Sequence, residues 1–289
     1  MYKAYSFEYN DKTHYLLPTV HVDYSLLNDD IIKFIKQIID NVDTCFFETE
    51  ANKAIEMGKK IKIPKITKET TIEKIYSEKD INKIKTIINK LFNIDIPKTH
   101  IEKQLLIKIR KPMEFYSSYD NNKKKSLTDI QTKHKYFDVF IETILANKKK
   151  IIALDNMKDL TKQFTSKFYE DITNLLIAKP PEISKIEKNL KDTIKLINKW
   201  IAKFTTNTSM KLNIGNMGVD VLNETEERNI EWLKKIFDYL DKNPTKNIAI
   251  IVGGAHIFGF DEKNKKTGKT LPNLLSKMKN VKNVNYSTL

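Results

Sequence analysis

The sequence predicts an α/β fold in which a central, mostly parallel sheet is flanked by helices. Short apolar runs that end in polar residues alternate with amphipathic helical stretches, a pattern typical of parallel sheets. The clearest run is Asn247 to Val252, which leads directly into Gly253. A chain of 289 residues with a hydrophobic fraction of 40% can form a large core without disulfides or a structural metal. We therefore expect a single domain over residues 1–289.

The first half of the chain is predicted to begin with two strands and a strand–helix–strand unit. Tyr2 to Tyr9 and Thr13 to Val22 are rich in aromatic and β-branched residues, which favour strands. Apolar residues at helical spacing between Leu27 and Ile39 predict an amphipathic helix, and Val42 to Phe47 is the next strand. The Lys- and Ile-rich stretch from about 55 to 135 has helical spacing broken by prolines, which indicates a helical insertion.

The second half is predicted to add buried strands and one long helix before the strand at Asn247. Ile151 to Leu154 is a short apolar run typical of a buried strand. Asn223 followed by Glu226 predicts a capping box at the start of the long helix. A terminal helix over Leu271 to Met278 and an edge strand at Val284 to Tyr286 complete the prediction.

The net charge of +14 does not by itself indicate a nucleic-acid partner. Arginine is favoured for base readout and phosphate clamps because its planar fork matches those acceptors, yet Arg110 and Arg228 are the only arginines. The lysines are spread along the chain and interleaved with acidic residues. We therefore expect a solvated lysine-rich surface and no specific nucleic-acid binding.

The sequence also indicates in which cellular compartment the protein is expected. Cys45 is the only cysteine, which excludes an internal disulfide and favours a reducing environment. No apolar run approaches the roughly 20 residues of a membrane helix, and the first residues lack the apolar region of a signal peptide. We expect a cytoplasmic protein without a membrane span.

Polar side chains follow the predicted strands at the points where the strands end. The second strand ends at His21, the third at Glu48 and Glu50, the fourth at Asp155 and the fifth at His256. Open α/β sheets bind ligands beyond the carboxyl ends of their strands, so we expect these side chains to converge. Two imidazoles with several carboxylates suit either a divalent metal or a metal-free acid–base site. Glu48 is the better candidate of the two glutamates because it follows the apolar run directly.

His256 has the most specific surroundings of the five histidines. The preceding Gly253-Gly254 pair permits a tight turn and a close approach of backbone amides to a ligand. His14, His100 and His134 have no comparable context, and we expect them at the surface. A structural alternative for Asp155 is that it caps the following helix.

Arg228 and Asn229 are candidate binding residues on the predicted long helix. Arginine in the first turns opposes the helix dipole, which suggests a specific task in a chain with two arginines. Binding a carboxylate or stabilising an oxyanion would suit it. A surface ion pair with Glu224 or Glu231 is the alternative explanation.

Four segments carry a resemblance to a known family. Thr19-Val20-His21, Phe46-Phe47-Glu48, Glu227-Arg228-Asn229 and Gly253-Gly254-Ala255-His256 occur in this order. Together they resemble motifs of the TraB/PrgY/GumN family, which includes the Tiki Wnt proteases. One departure is Pro18, which stands where the family's first Gly-Thr-x-His motif has glycine.

The resemblance implies a divalent-metal-dependent hydrolase that acts on a peptide bond, with Mn, Co or Zn as cofactor. Glu50 is then the candidate base, while Arg228 and Asn229 hold the substrate or stabilise the oxyanion. The metal ligands that the resemblance implies are His21, Glu48 and His256.

Two other functions stay open at this point. Erythromycin esterases, more distant relatives of the fold, suggest a metal-free hydrolase in which His21 is the general base. Pro18 favours a non-catalytic member that binds a peptide or other ligand, because proline removes any amide N–H that the family's glycine contributes. The expected partner is a peptide or small-molecule substrate, and the sequence leaves the oligomeric state open.

Overall fold

The computed structural model of the chain describes ten segments of the sequence. They are residues 2–20, 23–51, 71–92, 95–102, 119–120, 125–126, 135–156, 181–205, 219–259 and 269–288. The chain divides into two compact units, the first formed by residues 1–54, 136–157 and 200–289 and the second by 55–135 and 158–199. The single domain over 1–289 and the insertion over about 55–135 stay predictions.

The first unit is built on a six-stranded mixed sheet. Its strands are β1 (Lys3–Tyr9), β2 (Lys12–Thr19), β3 (Thr44–Phe47), β6 (Lys150–Ala153), β7 (Ile248–Gly253) and β8 (Lys282–Thr288). Their order in the sheet is β6-β3-β7-β2-β1-β8. Strands β6, β3, β7 and β2 are parallel, whereas β1 and β8 are antiparallel to their neighbours. The predicted α/β class is confirmed, although the sheet is parallel only in part.

The centre of the sheet is apolar because helices and neighbouring strands bury it. Residues Ile248 to Val252 of β7 and all four residues of β3 are buried. Continuous apolar strands of this kind are typical of parallel sheets that are covered on both faces. The predicted edge strand is also present, since β8 pairs with β1 at one end of the sheet.

Helices in the first unit close the sheet and supply the site. Asn28 caps α1 by accepting a hydrogen bond from the Asp30 amide at 2.8 Å. The predicted apolar face is buried at Ile31, Ile35 and Ile39. The helices are α1 (Asp29–Asp40), α5 (Phe137–Phe140), α7 (Val219–Lys242), α8 (Gly254–Phe258) and α9 (Leu271–Leu275), and a π-helical turn (Ile141–Leu145) continues α5.

The predicted start of the long helix is wrong. Helix α7 begins at Val219, so Asn223 lies inside it and not at its cap. Asparagine in a helix interior costs less than about 1 kcal/mol, which a helix of this length overcomes through its other contacts. The argument from the helix dipole therefore does not apply to Arg228, which lies in the third turn.

The surface position expected for His14 is also wrong. The side chain is buried, and its Nδ1 accepts a hydrogen bond from the Ile248 amide at 3.3 Å. Nε2 then donates to the carbonyl of Tyr9 at 3.1 Å. Burial lowers the pKa of His14, which favours the neutral imidazole. The residue links the β1–β2 hairpin to the start of β7.

The second unit has its own small core. Isoleucines at helical spacing, including Ile84 and Ile88, pack there with Ile186 and Leu190. Its elements are α2 (Ile72–Ile75), α3 (Glu78–Phe92), α4 (Lys98–Glu102), a two-stranded sheet of β4 (Tyr119–Asp120) and β5 (Lys125–Ser126), and most of α6 (Ile183–Thr205). Within the described segments, no helix has the length and apolar character that crossing a membrane demands.

Candidate functional site

The carboxyl ends of β2, β3, β6 and β7 lie side by side, as the sequence predicts for parallel strands. Thr19 at the end of β2 pairs with Gly253 at the end of β7. Beyond β3 and β6, the Asp155 amide donates to the Glu48 carbonyl at 2.9 Å. This backbone contact brings the first candidate acid and Asp155 together, although they are far apart in sequence.

Glu48 is the central residue of the site. Its Oε1 accepts a hydrogen bond from the Gly253 amide at 2.6 Å, and its Oε2 accepts one from Arg228 Nη2 at 3.1 Å. Oε1 also lies 3.9 Å from Nε2 of His256. Two of these partners come from the segment at the end of β7, so the glutamate joins β3 to that segment.

Gly253 is required at this point by a close approach. A Cβ atom on Gly253 would lie only 3.0 Å from Oε1 of Glu48, which is too close for an ordinary contact. At Gly254 the nearest atom would be a Phe258 ring carbon at 3.4 Å. The first glycine therefore admits the carboxylate, while the second has room for a methyl group.

Arg228 on α7 holds two carboxylates. Its Nε and Nη2 donate to the two oxygens of Asp155 at 3.3 and 2.5 Å, and Nη2 also reaches Glu48. Burial would lower the pKa of Arg228, but the two acids outweigh that effect and raise the pKa. The arginine stays charged, and the two carboxylates share its guanidinium.

His256 is a buried imidazole whose tautomer follows from its neighbour. Asn229 Nδ2 donates to the carbonyl of Lys269 at 2.8 Å, so the amide oxygen of Asn229 must face Nδ1 of His256, 2.7 Å away. That oxygen can only accept, which places the ring proton on Nδ1. Burial lowers the pKa of His256 to about 4. The imidazole is therefore neutral at pH 7, and the lone pair of Nε2 lies on the side of Glu48.

Trp232 packs against Asp155, His256 and Arg228. Its indole N–H donates to Asp155 Oδ1 at 2.7 Å, and its ring lies 4.3 Å from the His256 ring, centroid to centroid. The guanidinium carbon of Arg228 is 4.6 Å from the centre of the indole. The side chain is only 2% exposed, so these contacts are made away from water.

The remaining predicted residues have different surroundings. His21 lies outside the described residues, and the meeting of the two histidines stays a prediction. Glu50 is close enough to Glu142 to raise its pKa, whereas Glu48 is the glutamate that contacts Arg228 and Gly253. Glu142 is buried, and both of its oxygens accept the Ala51 amide, at 2.8 and 2.9 Å.

The residues fit part of a metal site. A neutral imidazole nitrogen and a carboxylate oxygen are ligands that Zn²⁺ and related metals use. Their separation of 3.9 Å is somewhat wider than the roughly 3.3 Å between two ligands of one tetrahedral metal with the usual bond lengths. Within the described segments, no group of three His, Cys, Asp or Glu residues could hold a metal ion. A metal bound here would need a further ligand from outside them.

Comparison with protein families shows to which family the chain is related. The model of the TraB/PrgY/gumN family matches residues 4–272, nearly the whole chain. The chain belongs to this family. The match includes every candidate site residue of this TraB/PrgY/gumN protein, from His21 to His256, so the suspected resemblance is confirmed. Neither the curated proteins nor the solved structures that were compared contain a match.

One site residue of this TraB/PrgY/gumN protein was not found by sequence reasoning. Trp232 lies four residues after Arg228, which places both on one face of α7. A buried tryptophan at that spacing reads as an ordinary core residue, and its partner Asp155 is 77 positions away. The available signal was its place one turn beyond a candidate arginine.

Proposed function

We propose that this protein is a divalent-metal-dependent hydrolase, of the peptidase type, in which His256 and Glu48 bind the metal together with His21. The observation that carries the proposal is the fixed tautomer of His256. A neutral imidazole with its proton on Nδ1 offers Nε2 as a ligand, and Asn229 holds it in that form. Hydrogen-bonded support of the second ring nitrogen is the usual arrangement behind a metal-bound histidine.

The charge of the group supports a cationic occupant. Arg228 contacts both Glu48 and Asp155, and burial keeps His256 uncharged. One guanidinium thus serves two carboxylates, and a divalent cation beside Glu48 would add a second positive charge to them. The carboxylates lie together although the chain as a whole has a net charge of +14.

The protein's own residues would then divide the work. Arg228 and the Gly253 amide hold the Glu48 carboxylate from two directions, and Asn229 sets the tautomer of His256. A bound metal would supply a water acidic enough to attack a carbonyl carbon at neutral pH. Glu50 remains the proposed base for that water.

The contacts of Arg228 and Asn229 modify the tasks first assigned to them. Both polar atoms of the Asn229 amide have partners inside the protein, and the residue is 1% exposed. It therefore suits orientation of His256 better than contact with substrate. Arg228, at 29% exposure, is the one of the two that can also face a substrate oxygen.

Metal content tests the proposal directly. Protein purified without chelators or a histidine tag would be assayed by plasma mass spectrometry as wild type and as the variants His21→Ala, Glu48→Gln and His256→Gln. We expect near-stoichiometric Mn, Co or Zn in the wild type and loss of metal in all three variants. The control His134→Ala should retain it, because that histidine does not follow a predicted strand. Peptide libraries analysed by mass spectrometry would then identify cleaved bonds.

A wild type that is metal-free and does not take up added metal would contradict the proposal. Ester hydrolysis that resists chelators and is lost in His21→Ala would then indicate the metal-free hydrolase. A ligand recovered intact, with binding unchanged in His256→Gln, would indicate the sequestering alternative that Pro18 favours.

A further inference from the structure

We propose that Trp232 is a positioning residue of this site, fixing the His256 imidazole on one side and the Arg228 guanidinium on the other. The proposal rests on the proposed function for its consequence in metal binding, but the contacts of the indole are independent of it. Trp232 contacts Asp155, His256 and Arg228 at once.

The first step concerns the ring of His256. Its hydrogen bond to Asn229 holds one ring atom, and a ring held at one atom can still tilt or swing about its side-chain bonds. The indole lies against the imidazole with 4.3 Å between centroids and an interplanar angle of 35°. It therefore occupies the space that the imidazole would sweep through. Together, the hydrogen bond to Asn229 and the contact with the indole keep Nε2 of His256 on the side of Glu48.

The second step concerns Arg228. The indole face lies beneath the guanidinium carbon at 4.6 Å, a geometry in which a cation and an aromatic ring attract. Asp155 holds both groups at once, since Oδ1 accepts from the Trp232 N–H and also from Arg228 Nε. Movement of the indole would therefore change where Arg228 presents Nη2 to Glu48. One side chain thus controls both proposed metal ligands in this part of the molecule.

The third step is why tryptophan suits this position. Phenylalanine would retain an aromatic face but lose the N–H that Asp155 accepts. Leucine would lose both the face and the N–H. The two substitutions are therefore expected to rank in their effects, with Trp232→Leu the more severe.

The test uses the tautomer of His256 in the metal-free protein. Nitrogen-15 spectra of histidine-labelled protein distinguish the Nδ1–H from the Nε2–H form, and the signals of His256 are those lost in His256→Gln. We expect the Nδ1–H form in the wild type, a mixture of tautomers in Trp232→Leu, and an intermediate result in Trp232→Phe. The matched control is Phe237→Leu, which removes a buried aromatic ring from the same helix and the same core. The ring of Phe237 packs on Phe7 and Tyr9.

Affinity for Co²⁺ is the second measurement. Loss of support for a ligating histidine commonly weakens metal binding 10- to 100-fold, and we expect a loss of about that size in Trp232→Leu. Phe237→Leu should bind Co²⁺ like the wild type. Should Trp232→Leu fail to fold, the comparison of Trp232→Phe with Phe237→Leu decides in the same way.

The proposal is overturned if the Trp232 variants match Phe237→Leu in the His256 tautomer. A wild type that does not bind Co²⁺ would contradict the proposed function and leave the tautomer to decide the role of Trp232. A tautomer that changes in Trp232→Leu, without change in Phe237→Leu, supports positioning in either case.

Discussion

At the scale of single residues, the site depends on a few partly buried charges with defined partners. Arg228 joins Asp155 and Glu48, and the Asp155 side chain is only 8% exposed. Removing one member of such a pair leaves an uncompensated charge away from water. That cost is the larger part of what a single substitution measures.

We therefore predict strong coupling between Arg228 and Asp155. Arg228→Leu and Asp155→Asn should each lower the free energy of unfolding by roughly 3 kcal/mol, because each removes one member of a partly buried ion pair. The double variant should lose clearly less than the sum, by at least about 1 kcal/mol. Urea denaturation of the four proteins gives the coupling energy.

The matched control for this cycle is the exposed pair Lys36 and Asp40 on α1. Both side chains are about half exposed, at 54% and 53%, so their coupling should stay below roughly 0.5 kcal/mol. Equal coupling in the two pairs would mean that burial of the Arg228 group has no energetic consequence.

Glu142 gives a pH dependence with a definite sign. Burial raises the pKa of Glu142 to about 7, and Glu50 and Asp138 add to the rise. The folded state therefore binds this proton more tightly than the unfolded state does. The stability it contributes is complete below the ordinary glutamate pKa and is lost as the pH rises through 7.

Glu142→Gln should remove that loss. From pH 5 to pH 8, the free energy of unfolding of the wild type should fall by roughly 2 kcal/mol more than that of the variant. Urea denaturation at both pH values measures it, with the exposed Glu231→Gln as control. A difference between wild type and variant that is the same at pH 5 and pH 8 would exclude a raised pKa.

At the scale of elements, the junction between β7 and α8 supplies both a backbone amide and a histidine to the site. The chain passes from strand to helix at Gly253, and α8 ends at Phe258, just before Gly259, whose φ of 73° favours glycine. His256 lies in the short helix between them. The shape of this turn therefore fixes both the histidine and the amide that Glu48 accepts.

The two adjacent glycines should respond differently to alanine. In Gly253→Ala the new methyl group lies 3.0 Å from Oε1 of Glu48, so the carboxylate must move, and we expect at least a tenfold loss of Co²⁺ affinity. Gly254→Ala meets only ordinary contacts and should bind like the wild type. Titration with Co²⁺ compares them, and equal affinities would show that the Glu48 position is not set by this turn.

Element types were predictable where periodicity was strong. The strand ending at Gly253, the helix at α1 and the edge strand β8 follow from local patterns of apolar residues. The start of α7 was not predictable, because Asn223 has the chemistry of a cap, yet its cost inside a helix is small enough for a longer helix to include it. Local signals locate elements better than they locate their ends.

The site was predictable to the extent that strand ends carry it. Glu48 and His256 follow directly from the apolar runs before them. Trp232 and the buried His14 were not predictable, since their partners Asp155 and Ile248 are distant in sequence. The hydrogen-bond partners of a tryptophan or histidine can be identified only when the fold is known.

At the scale of the whole molecule, charge is the dominant feature. The excess positive charges of a chain with a net charge of +14 repel one another in the compact state, and salt screens this repulsion beyond a Debye length of about 10 Å at 0.1 M. We predict that the midpoint of urea denaturation rises between 20 and 300 mM sodium chloride. A midpoint that falls would mean that attractive ion pairs outweigh the net charge.

A charge-reduced variant is the control for this prediction. Lys12 and Lys279 are exposed, and changing both to glutamate lowers the net charge from +14 to +10, two units for each substitution. The rise in the midpoint with salt should be smaller in this variant. An unchanged rise would point to specific ion binding and not to general screening.

The central position of β7 has a consequence for synthesis. β7 lies between β2 and β3 in the sheet but follows β3 by about 200 residues in the chain. Translation at about 5 to 20 residues per second therefore leaves roughly 10 to 40 seconds between their emergence from the ribosome. During that interval Phe46 and Phe47 of β3 have no neighbour from β7, and β2 cannot be joined to β3. A nascent chain in this state exposes the strands most prone to aggregation, so a chaperone that binds apolar segments should associate with it until residue 253 has emerged.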